Sequence, residues 1–150
     1  MTRVLIAADD SAESRIAAQA AHRLFGDTSE YWLVNVGQTV TSATGTWGMA
    51  YPIGMPMAIV PLELIEEDRE AALEEAASHA TEIAVDAEID AHPVGAVGDP
   101  VTAIIDAAHE RLADVIVVGS RERGWLDRLL HSSVSDSVVK NADIPVLVVK

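Results

Sequence analysis

The chain has no cysteine, which removes a disulfide framework, a thiolate metal site and a thiol nucleophile together. Lysine is nearly as scarce. Lys140 and Lys150 stand with eight arginines against 24 acidic residues, for a net charge of -14. A nucleic-acid-binding face needs clustered Lys and Arg, so that class is excluded. No apolar run approaches the roughly 18 residues of a membrane-spanning helix. The apolar stretch after Met1 is too short for a signal peptide and leads directly into the fold pattern. A soluble, cytoplasmic protein with no membrane contact is expected. At 150 residues the chain reads as one domain, 1–150, large enough to bury a core.

The acidity is patterned as well as large. Around Glu63 to Glu82 the helical spacing sets Glu63/Glu67, Glu66/Glu70 and Glu70/Glu74 four residues apart. Each like-charge pair of that kind costs roughly 0.2–0.5 kcal/mol in dilute buffer. The repulsion is largely screened once the Debye length falls to about 3 Å near 1 M salt. This composition points to a salt-rich cytosol, as in a halophile, with an ordinary acidic protein as the alternative.

Val115 to Val118 is an unbroken β-branched run that ends at Gly119, the pattern of a parallel strand covered on both faces. After a loop that holds Arg121, Arg123 and Gly124, Ser132-Ser133 can cap a helix read from Val134 to Asn141. Strand, glycine-containing loop and helix N-terminus gather backbone N–H groups at one spot, and such a spot attracts phosphate.

The rest of the chain alternates in the same way. Val4 to Ala8 reads as a first strand, with Asp10 and Glu13 at capping-box spacing before a helix. Ile16, Ala17, Ala20, Ala21 and Leu24 line that helix, and Gly26 stops it. Tyr31 to Val36 is a second strand. A helix opening at Pro61 carries Leu62, Ile65, Ala72, Leu73, Ala76, Ala80 and Ile83 on its core stripe. Ala87 to Pro93 is a third strand. Gly98-Asp99-Pro100 reads as turn, N-cap and first helical residue, leading into Val101, Ile104, Ile105 and Ala108. Pro145 to Lys150 closes with a fifth strand. Strands alternating with helices mean an α/β domain with a mostly parallel, doubly wound, flavodoxin-like sheet. Ligands then sit beyond the strand C-termini where the strand order reverses. If strands 1 and 4 are neighbours there, Asp9-Asp10-Ser11 and Gly119-Ser120 face one crevice, an adjacency periodicity alone does not decide.

Residues 38–60 differ. This long loop holds Gly45, Gly48, Gly54, Pro52, Pro56, Trp47 and three of the four methionines, without helical or strand period. It is a candidate adaptable surface for a protein partner, or a loop folded onto its own domain or a second subunit. His22, His79, His92, His109 and His131 are scattered without a metal-type spacing. No nucleophile–base set stands out, so no catalytic residue and no enzyme activity is assigned. Asp9 and Asp10 could ligate Mg2+, but an N-terminal cap accounts for Asp10 equally well.

Ile6 to Ser11, Gly98 to Pro100, Asp114 to Arg121, Arg128 to Leu130, Ser133 to Ser135 and Asn141 to Val149 together resemble the universal stress protein family, in order and over nearly the whole chain. The resemblance implies a five-stranded parallel sheet in the order 3-2-1-4-5 and a homodimer paired through the C-terminal strand. It also implies an ATP site, with Mg2+ as companion, whose loop follows the pattern G-x-x-G-x9-G-[ST]. Carried over by position, Asp9 and Val36 hold adenosine, with the region from Ala7 as wall. Gly119, Ser120, Arg121, Arg123, Ser132, Ser133 and Val134 surround the phosphates.

Here the pattern breaks. Its second glycine is Glu122 and its third is Ser132. A carboxylate about 4 Å from a phosphate charge costs roughly 1 kcal/mol in water and 4 at an effective dielectric of 20. The expectation is a dimeric stress-response regulator with a degenerate nucleotide crevice, weak or absent ATP binding and no certain cofactor. The competing reading is an adenine-nucleotide switch with slow hydrolysis.

Overall fold

The structure, a computed structural model, describes residues 1–39, 62–120 and 134–150. Its elements are β1 (Arg3–Ala7), α1 (Ala12–Phe25), β2 (Glu30–Gly37), α2 (Leu62–Asp86), β3 (His92–Val97), α3 (Pro100–Glu110), β4 (Val115–Gly119), α4 (Val134–Asn141) and β5 (Val146–Val149). The five strands form one sheet in the order β3-β2-β1-β4-β5, and every neighbouring pair is parallel.

The apolar runs of the central strands follow from this layering. Val4, Ile6, Leu33, Val115 and Val117 point to the face covered by α1 and α2, with Ala17, Ala18, Ala21, Ala80 and Ile83. Leu5, Ala7, Val34, Ile116 and Val118 point to the other face, against Ile104, Ala107 and Ala108 of α3 and Val134 and Val138 of α4. A strand covered on both sides has no polar side to alternate with.

Several boundaries fall where the local chemistry places them. Gly26 ends α1 with φ of 72°, a backbone region that glycine enters without steric cost, and its N–H reaches the His22 carbonyl at 2.8 Å. Asp99 caps α3 by accepting from the Thr102 N–H at 3.0 Å, with Pro100 as first helical residue.

Other expectations are corrected. The cap of α1 is Ser11, whose side chain accepts from the Ser14 N–H; Asp10 lies outside the helix and exposed. Ile16 and Leu24 are exposed rather than core, and Ser14, Ala17, Ala18, Ala20 and Ala21 make the buried side of α1. Leu62 and Ile65 are likewise exposed at the start of α2, which buries Ala72, Ala76, Ala80, Ile83 and Ala84.

The third strand runs over residues 92–97, not 87–93. Ala87 and Ile89 are buried, but they belong to the turn that ends α2, where Glu88 takes φ of 56° and the Ile89 N–H reaches the Ala84 carbonyl at 3.1 Å. Gly95 sits in β3 because α2 passes too close for a side chain. A Cβ there would lie 2.1 Å from the Leu73 carbonyl oxygen.

Candidate functional site

The strand order reverses between β1 and β4, and beyond their C-terminal ends lies an open crevice. Ala7, Ala8 and Asp9 form one wall. Val118 and Gly119 form the other, with Ser11, Glu13 and Ser14 above and Ile104, Val134 and Ser135 opposite. Of the two segments expected to share a crevice, Asp9, Ser11 and Gly119 do line it, because Val4 to Ala7 pair directly with Val115 to Val118.

Asp9 is the chemical centre of this site. It is only 6% exposed, and a buried carboxylate needs donors. Its Oδ1 accepts from the Ser11 N–H at 3.0 Å, from the Ser11 hydroxyl and from the Ser14 hydroxyl at 2.7 Å. The Ser14 Oγ also accepts from the Asp9 N–H at 2.8 Å. The neighbouring residue is braced from β2. The Ala8 N–H donates to the Val34 carbonyl at 2.9 Å, and Asn35 Nδ2 donates to the Ala8 carbonyl at 3.0 Å. A carboxylate held in this way accepts from neutral donors, hydroxyl or amine, and repels phosphate.

On the β4 side the Ser135 hydroxyl donates to the Gly119 carbonyl at 2.7 Å, which ties the strand end to the first turn of α4. The Ser120 N–H donates to the Val149 carbonyl at 2.8 Å and continues the ladder to β5. A Cβ on Gly119 would meet the Glu13 carbonyl oxygen at 3.5 Å, an ordinary contact. Among the described residues, packing therefore does not demand glycine here.

Of the residues expected at the site, Asp9, Gly119 and Val134 line the crevice, with Ser120 following directly in the chain. Val36 stands one strand away at the end of β2, buried and paired with Ala96, and is not among the lining residues. Arg121, Arg123, Ser132 and Ser133, together with Glu122, lie outside the described residues. Sequence reasoning missed Ser14, Asn35 and Ser135. Ser14 had a signal: a serine inside an alanine-rich helix face, where Ala is the better helix former. Among the described residues no group of three or more His, Asp or Glu is placed to hold a metal ion, and no helix is long and apolar enough to cross a membrane.

Comparison with known proteins places this geometry. The family model described as universal stress protein family matches residues 1–150. The stress response protein NhaX of Bacillus subtilis (strain 168) is 41% identical over 91 residues, 60% of this chain and 52% of that protein, so the match spans about half its length. The universal stress protein YxiE of the same organism is 30% identical over 153 residues, 99% of this chain and 98% of the relative.

Among solved structures, that of the hypothetical protein MJ0577 is 24% identical, covers 99% of this chain and 95% of the other, and superposes with a TM-score of 0.67. A universal stress protein from Archaeoglobus fulgidus in complex with dAMP is 22% identical, covers 100% and 98%, and has a TM-score of 0.52. At these identities the structures speak for the fold, and the family match speaks for descent. The chain belongs to the universal stress protein family.

Proposed function

We propose that this protein is a regulatory module of universal stress type that keeps the nucleoside half of its crevice and has lost the polyphosphate half. The observation that carries the reading is Asp9, 6% exposed and held by Ser11 and Ser14 at the β1/β4 reversal. Its carboxylate suits the neutral donor groups of a nucleoside. The dAMP complex of the Archaeoglobus fulgidus relative supports an adenine nucleoside as the class of ligand. Val36, at the end of β2, would meet its far side.

Glu122 and Ser132 stand where the family loop has glycine. A loss near 3 kcal/mol to like-charge repulsion weakens binding more than about a hundredfold, and Arg121 and Arg123 offset part of it. The module is regulatory rather than enzymatic, cytoplasmic, and carries no obligatory cofactor; ATP with Mg2+ binds weakly or not at all.

It works as a homodimer through β5. This strand lies at the sheet edge, its Val148 is 37% exposed and the nearby α4 exposes Val139; an apolar edge of this kind calls for a cover. Segment 38–60, with Trp47, Met49, Met55 and Met57, is assigned to a protein partner.

The test is calorimetric titration of adenosine and of Mg-ATP in high salt, on wild type and on Glu122→Gly/Ser132→Gly. Adenosine binding by both proteins, with ATP binding gained only in the double variant, is expected. Micromolar ATP binding by wild type, unchanged in the variant, refutes the degenerate-loop reading and leaves the nucleotide switch. Sedimentation of Val148→Lys, expected to yield monomer, checks the dimer.

A further inference from the structure

We propose that Ser14 is a positioning residue, which holds the Asp9 carboxylate in the single orientation in which the crevice can use it. Three donors converge on one oxygen, Oδ1, and two of them come from Ser11. Ser11 lies two residues from Asp9 on the same turn, before the helix begins. Ser14 does not. It stands in the first turn of α1 on the buried side, 6% exposed, and that side is fixed against the sheet by Ala17, Ala18 and Ala21.

Its hydroxyl closes a ring with Asp9, accepting from the backbone N–H at 2.8 Å and donating to Oδ1 at 2.7 Å. Both the main chain and the side chain of Asp9 are thereby referred to the helix. The hydroxyl is not needed as the helix cap, since Ser11 supplies that. Inside a helix, Ala in its place raises intrinsic propensity. A buried hydroxyl that helix stability does not ask for is explained by what it holds.

With Oδ1 occupied by protein donors, the remaining acceptor capacity of the carboxylate lies on Oδ2. The site then selects a ligand that offers a neutral donor along one direction. This inference rests on the proposed nucleoside reading of the crevice, so its test has one arm with ligand and one without.

The ligand arm titrates adenosine calorimetrically into wild type, Ser14→Ala, Asp9→Ala and the double variant, with circular dichroism to confirm the fold. Losing one hydrogen bond to a charged group that must stay oriented is expected to weaken adenosine about tenfold in Ser14→Ala. Within the Asp9→Ala background the same change is expected to stay below about twofold, because coupled residues are not additive. Equal weakening in both backgrounds means that Ser14 acts on the fold and not through Asp9, and overturns the proposal.

The ligand-free arm measures the three-bond Hα–Hβ couplings of Asp9 by NMR. One rotamer in wild type and averaging in Ser14→Ala are expected; a single rotamer in both overturns the proposal. Absence of adenosine binding by wild type, with averaging in the variant, supports the positioning role and refutes the nucleoside reading.

Discussion

Screening the charge on α2 should stabilise the fold by a predictable amount. The helix exposes Glu63, Glu66, Glu67, Glu70 and Glu74, with Arg69 as its only arginine or lysine. Three pairs, Glu63/Glu67, Glu66/Glu70 and Glu70/Glu74, are one turn apart on its surface. At about 0.2–0.5 kcal/mol each, their sum is roughly 0.6–1.5 kcal/mol in dilute buffer. The Debye length is about 10 Å at 0.1 M salt and 3 Å at 1 M, against about 5–6 Å between such neighbours. Most of the repulsion is therefore present at 0.1 M KCl and gone by 2 M. For a chain of this size about 1 kcal/mol moves Tm by roughly 2–4 °C. Urea unfolding and calorimetry at the two salt concentrations should show that gain. The internal control is Glu70→Gln, which removes two of the three pairs. It is expected to add roughly 0.4–1 kcal/mol at 0.1 M and nothing at 2 M. Equal stability of wild type in both salts, or the same gain for the variant in both, refutes the charge argument.

Four further outcomes follow from particular contacts. Gly95→Ala drives a Cβ to 2.1 Å from the Leu73 carbonyl oxygen and should cost about 3 kcal/mol in urea unfolding. Gly119→Ala meets its nearest described neighbour at 3.5 Å and should cost below about 1 kcal/mol, while adenosine titration reads whether the new methyl blocks the crevice. Asn35→Ala strips the Ala8 carbonyl of its side-chain donor and should cost about 1–3 kcal/mol, measured in the same way. His109 Nε2 lies 2.7 Å from Asp143 Oδ1. That hydrogen bond, with one from the backbone, holds the exposed Asp143 carboxyl below its ordinary 3.8. A depressed pKa contributes stability that is present above the unfolded value and lost as pH falls through the folded one. His109→Ala should return the Asp143 pKa toward 3.8 in a carboxyl NMR titration, and its stability difference from wild type should shrink on acidification below that value.

The strand-and-helix alternation was legible because β4 and β1 are covered on both faces, which writes an unbroken apolar run into the sequence. The sheet order was not, since no residue in β1 names its neighbour; it came with the resemblance. Errors cluster where small residues do the packing. α1 lies close enough to the sheet that Ala18 and Ser14 fill the space, so larger Ile16 and Leu24 turn outward although they look like core. Ala87 and Ile89 imitate a strand because a turn is buried, while Pro93 and Gly95 disguise the strand itself. Asp9, expected at the site, lines the crevice, but its support was read one residue off. Capping-box spacing fits Asp10 and Glu13, and only the geometry shows Ser11 in that role and Ser14 turned toward Asp9.

If the polyphosphate half of the crevice is lost as proposed, two sources of repulsion act against a triphosphate there, and salt separates them. The net charge of -14 sets up a long-range field that opposes any anion, and it decays over a Debye length. On the proposed reading Glu122, which stands in the sequence where the family loop pattern has glycine, acts at short range, which even 1 M salt, with a Debye length of about 3 Å, screens incompletely. Adenosine, being neutral, feels neither. Raising KCl from 0.1 to 2 M should leave adenosine affinity within about twofold and improve ATP in wild type by about tenfold, the long-range share alone. Glu122→Gly should improve ATP further at both salt concentrations. If salt alone brings wild-type ATP affinity level with that of Glu122→Gly, the field of the whole molecule is the barrier and the missing glycine is not. If neither salt nor the substitution helps, the loss lies with Ser132 or with the crevice beside Asp9, and Ser132→Gly tells these two apart.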